Sequence, residues 1–159
     1  MKRTKVILFF SILIILVGYA SYKLVSTSVQ YERMRLFENP DPIPWYFDAV
    51  WPEPGSALSL DEFQKYVMGG PCFEVSSDGL LGLSFEDSDS FERMSLLVNG
   101  YQPANYPAKG PKGGPTVWTV DNVKLICWSV PFTPGEYLIE IKIEGIITEE
   151  YAWAFRINE

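Results

Sequence analysis

The residues able to do chemistry in this chain are two cysteines, one cluster of acids and a few aromatic side chains. Histidine is missing altogether. That removes His-based triads, His metal ligands and His general bases. Cys72 and Cys127 are 55 residues apart. Without a base beside it, neither is a plausible nucleophile. A disulfide between them is one reading, supported by an oxidising compartment. The strand phase favours the other: two separate thiols, with Cys127 a small core residue. On that phase Cys127 shares an inward face with Val123 and Leu125, whereas Cys72 lines up with Glu74.

Glu86, Asp87, Asp89 and Glu92 fall in one short stretch. Alternating carboxylates are oxygen ligands suited to Ca²⁺, with Asp87, Asp89 and Glu92 as the weak candidate set. EF-hand spacing fails, because Phe91 occupies a ligand position and no glycine follows. A solvated acidic turn is the favoured reading. A glycosidase pair needs a deep cleft that short loops do not build. Lys109-Gly110-Pro111-Lys112-Gly113-Gly114-Pro115 has the look of a phosphate loop but lacks the following Lys-Ser or Lys-Thr, and its prolines remove amides. It reads as a surface loop. No cofactor is expected.

Aromatic residues offer binding rather than catalysis. Trp118, Trp128 and Tyr106, the last in the long loop Asn105 to Pro115, are the ligand-binding candidates. If Cys127 faces inward, Trp128 faces outward, as a sugar platform or protein hot spot requires. The bland alternative packs Trp128 under the 105–115 loop. Trp45, Tyr46, Phe47 and Trp51 are expected to cover an edge or end of the domain rather than to meet lipid.

What positions these groups starts at the N-terminus. Lys2, Arg3 and Lys5 precede an uncharged run from Val6 to Tyr22. Counted through Val25, with Lys23 snorkelling, it spans roughly 30 Å at about 1.5 Å per residue, the thickness of a bilayer core. The basic end should stay in the cytoplasm. Residues 1–25 therefore read as a signal anchor or transmembrane segment. Cleavage near Ala20, giving a secreted chain, is the alternative.

The chain carries a net charge of −7, from 13 basic and 20 acidic residues. Residues 1–25 hold four of the bases and no acid, which leaves −11 for the remainder. Such a surface repels nucleic acid and anionic lipid.

Residues 26–50 are expected to form a juxtamembrane stalk. Its first part can continue the helix, and Pro40, Pro42 and Pro44 then make an extended spacer. The domain proper is placed at 51–159. Ser59-Leu60-Asp61-Glu62 is a capping box, predicting a short helix over 60–68 that stops at Gly69-Gly70. Beyond it the period becomes two. Strands are predicted at 72–75, 81–85, 94–98, 116–120, 123–127, 137–143 and 151–157, with Asn99-Gly100 as a tight turn. About seven strands and one short helix imply an all-β antiparallel sandwich.

The order of these features resembles bacterial Ig-like or fibronectin-type sandwich domains of cell-surface proteins. Pro52-Glu53-Pro54-Gly55 matches their opening turn. Leu83-Ser84-Phe85-Glu86-Asp87, Val98-Asn99-Gly100, Pro134-Gly135-Glu136-Tyr137 and Trp153-Ala154-Phe155 follow in the family's order. The resemblance covers roughly residues 50–159. It implies a spacer, adhesion or ligand-presenting module, and a fold alone licenses no activity. The expectation is a non-catalytic, single-pass module that meets an extracytoplasmic protein or surface polymer. A carbohydrate-binding module is the runner-up. The third reading is an accessory subunit of a membrane complex, with residues 6–25 as its contact.

Overall fold

The computed structural model describes residues 2–65, 70–75, 79–80, 83–84, 94–102, 116–120, 123–128, 132–144 and 148–159. Its N-terminal element is a single helix, α1 (Lys2–Glu38). The apolar run carries no proline and one glycine, so nothing interrupts the helical ladder until Asn39-Pro40. The amide of Asn39 closes the last turn on the Arg35 carbonyl at 2.8 Å. From Phe10 to Glu38 the helix is long and apolar enough to cross a membrane, with a mean hydropathy of 1.6 in its best stretch. None of that stretch is covered by the rest of the chain. Ile14, Ile15 and Leu24 are 71%, 69% and 72% exposed.

Among the described residues, ten strands and a second helix follow. They are β1 (Ala49–Trp51), β2 (Ala57–Ser59), α2 (Leu60–Lys65), β3 (Cys72–Val75), β4 (Gly79–Leu80), β5 (Leu83–Ser84), β6 (Met94–Val98), β7 (Thr116–Val120), β8 (Val123–Cys127), β9 (Gly135–Glu144) and β10 (Thr148–Asn158). One sheet runs β1-β3-β8-β7 and the other β2-β10-β9-β6, with β4 and β5 as a separate short pair. The strands expected from periodicity are β3 and β5 to β10. The additional β1, β2 and β4 are two or three residues long, too short to carry a period. Among the described residues all strand pairings are antiparallel except one: β2 lies parallel to β10, from Ala57 opposite Arg156 to Ser59 opposite Asn158. This corrects the expectation of a purely antiparallel fold. The chain leaves α1, turns at Gly55 and enters the sheet in the direction of the final strand.

The inner faces of the two sheets share one core. Ile139, Ile141, Ile143, Tyr151, Trp153, Phe155, Ile157, Met94 and Leu96 line it from one sheet, in the phase their alternation predicts. Phe73, Val75, Ile126 and Trp128 line it from the side of the other. Phe63 anchors α2, stacking on Phe155 at 5.9 Å. The capping box forms: the Ser59 amide donates to Glu62 at 2.8 Å and the Glu62 amide to Ser59 Oγ at 3.2 Å.

The expected stalk over 26–50 is replaced by packing. Leu36 is fully buried against the outer face of the second sheet with Leu138 and Ala154, and Val29, Phe37 and Ala152 border the contact. Tyr46, Phe47 and Val50 enter the main core. The folded unit thus takes in the end of α1 and the Pro-rich segment. Proline spacing reports an extended backbone, but extended chain can lie along a domain as readily as away from it.

Candidate interaction surfaces

Among the described residues, three places gather charged, aromatic or sulfur-bearing side chains. The first is the seat of α1 on the second sheet. Its apolar centre, Leu36 on Leu138 and Ala154, has a polar rim. Arg33 lies 3.4 Å from the Glu136 carboxylate and donates to the Glu136 carbonyl at 3.3 Å. Arg156 bonds the other oxygen of that carboxylate and stacks over Phe37 at 4.7 Å. Arg35 forms a fork with both Asp41 oxygens at 3.0 and 2.9 Å and also bonds Glu32. That hydrogen-bonded pair holds the Asp41 carboxyl below its ordinary range. These rim pairs are partly exposed, so solvent screening keeps each of them weak.

Glu140 lies within this seat. Its Oε2 is buried without a hydrogen-bond partner. Burial is the main force raising its pKa, and the charges of Glu32 on α1 and Glu150 on β10 add to it.

The second place is the Asn99-Gly100 turn. Both residues have positive φ, 52° and 78°, the combination of a type I′ hairpin. Val98 and Tyr101 exchange backbone bonds at 2.8 and 3.1 Å. Asn99 accepts from the Leu138 amide at 2.9 Å and donates to the Glu136 carbonyl at 3.3 Å, tying the turn to β9. A Cβ at Gly100 would stand 2.9 Å from Val29 Cγ2, so glycine also lets α1 pass. Tyr101 is left 55% exposed.

The third is the flank of the first sheet. Cys72 and Cys127 are directly opposite in the β3–β8 register and are joined as a disulfide, both closed to solvent. Beside them a depression of about 270 Å³ is lined by Ile43, Trp51, Glu53, Glu74 and Leu125 among others. Trp45, 85% exposed, and Ile43, 38% exposed, belong to the segment bordering it. Tyr46 and Tyr151 lie under that segment. Burial, with the charge of Glu149 on Tyr46 and of Asp41 on Tyr151, pushes both phenols up to about 12, so they stay protonated.

The phase assigned to β8 is corrected here. Ile126 and Trp128 face the core, so Val123, Leu125 and Cys127 lie on the opposite face. Trp128 is 1% exposed and packs against Phe73 at 5.7 Å, so it is no surface platform. Alternation points the wrong way because Lys124 shares the face of Ile126 and Trp128, while Val123, Leu125 and Cys127 make the other face wholly apolar. The outer face of β8 holds the disulfide. Trp118 occupies β7, opposite Leu125. Tyr106 and the acids Asp87, Asp89 and Glu92 lie outside the described residues, as does the 105–115 loop. Among the described residues, no three His, Cys, Asp or Glu side chains gather as metal ligands.

Sequence reasoning did not find the α1 seat. Its only signal was the spacing of Val29, Leu36 and Phe37 in a segment read as linker. No protein-family model matches the chain. No curated protein matches it either.

Proposed function

We propose that this chain is a single-pass membrane protein that keeps its basic N-terminus in the cytoplasm and presents one Ig-like β-sandwich outside it. Its work is non-catalytic contact with another extracytoplasmic protein. The observation that carries the anchor is the row of exposed Ile, Leu, Val and Phe side chains between Phe10 and Val25. In water each large apolar side chain left bare forgoes about 1.5–3 kcal/mol of burial, and a bilayer removes that cost. Lys2, Arg3 and Lys5 before the run support the orientation.

The flank of the first sheet suits the partner. It offers an apolar floor beside a disulfide-braced strand pair, with exposed Trp45 and Ile43 next to it and Glu53 and Glu74 among its lining. Aromatic anchors within a polar rim are what protein contacts use. A glycan partner has less support, since Trp128 is core.

Two measurements test this. In right-side-out vesicles the chain should resist alkaline extraction and lose its β-domain to added protease. Release by alkali, or protection of the domain, defeats the proposal. A photocross-linker at position 43 in native membranes should give a discrete protein adduct that Trp45→Ala weakens. Adducts to polysaccharide alone would move the assignment to the glycan reading.

A further inference from the structure

We propose that the Asn99–Gly100–Tyr101 turn is a lipid-facing foot, seating the β-domain on the zwitterionic headgroup layer. The proposal rests on the anchor reading. It comes from the continuity of α1. The apolar run ends at Val25, and Val29, one turn on, packs against Gly100. Four residues of helix advance about 6 Å. The headgroup layer is roughly 5–8 Å deep on each side of the bilayer core. Gly100 therefore lies at headgroup depth, and Tyr101 is its chain neighbour.

The helix is fixed in this position. Leu36 is fully buried on the sheet, Arg33 holds Glu136, and Asn99 is bonded to β9 at three points. The turn cannot swing away from α1 without breaking these contacts. Tyrosine is a residue type suited to the interface, with an apolar ring and a polar tip. The opposite end of the seat is remote. Gly55 meets Phe37, twelve residues past Val25 and about 18 Å further along the axis. Zwitterionic lipid is the fitting partner, since the net charge of −11 on residues 26–159 would be repelled by an anionic surface.

The native cysteines are bonded to each other, so one introduced thiol can be labelled selectively. Full-length protein carrying a nitroxide at Tyr101→Cys, Gln102→Cys, Ala57→Cys or Leu16→Cys would be placed in phosphatidylcholine vesicles. Relaxation by a water-soluble nickel chelate would then be read. The expected result is accessibility at 101 and 102 several-fold below that at 57, and near zero at 16. Labels at 101 and 102 as accessible as the label at 57, with 16 still shielded, would overturn the foot and leave the anchor standing. A label at 16 open to the chelate would overturn both. Labelling at 102 keeps the test decisive if the Tyr101 variant folds poorly.

Discussion

Leu36, near the end of the apolar N-terminal helix, is buried against Leu138 in the middle of β9, so the helix and the β-domain form one packed body. Leu36→Ala should cost about 2–5 kcal/mol, the range for a buried leucine truncation. Denaturant unfolding of the detergent-solubilised chain checks it. If the helix end only rests on the surface, the loss would fall below about 0.5 kcal/mol, as at ordinary surface positions.

Cys72 and Cys127 close a loop of 55 residues. Unreduced, denatured protein should show no free thiol. Replacing both with alanine should lower stability by roughly 4 kcal/mol in the chain-entropy account. Two titratable thiols in native preparations would contradict the bond.

Glu140 should oppose docking at neutral pH. Its carboxyl is buried beside Glu32 and Glu150, which raises its pKa above the ordinary 4.5. A group raised on folding favours the folded state at low pH, and that contribution is lost as pH rises through the folded value. Glu140→Gln should therefore raise the unfolding midpoint at pH 7 more than at pH 4. Asp41, lowered by Arg35, has the opposite sign. Its contribution is present above its unfolded value and lost as the pH falls through the folded one. Asp41→Asn should destabilise at pH 7 and matter less in acid. Equal shifts at both pH values for either variant would refute the assignment.

Trp128 and Trp45 should behave as opposites. Trp128 is core, so Trp128→Ala should cost about 3–5 kcal/mol. Trp45 is 85% exposed, so Trp45→Ala should change stability by less than about 0.5 kcal/mol. Its effect should appear only in cross-linking to a partner. Thermal melts of the two variants separate these outcomes.

Much of the β-architecture is legible in one dimension. Along β9 and β10 isoleucine and aromatic residues alternate with charged or small ones, Leu138 excepted, and that pattern turns one face to the main core. In β8, Val123, Leu125 and Cys127 are all apolar while Lys124 shares the opposite face with Ile126 and Trp128, so alternation turns the wrong face inward. The capping box at Ser59 and Glu62 and the Asn99-Gly100 turn were readable because their hydrogen bonds are local.

By itself, the sequence determined the apolar helix, the two-residue period of the long strands, the acidic charge and the absence of histidine chemistry. These depend on residue type and near neighbours. Tertiary structure alone decided that Cys72 meets Cys127, that β2 runs parallel to β10, and that Leu36 sits on Leu138. Each joins segments far apart in the chain, and their meeting depends on sheet register, which local patterning does not encode. The cysteine pair is the clearest case. Phase within single strands pointed toward separate thiols, and the β3–β8 register placed the two side chains opposite each other on one face.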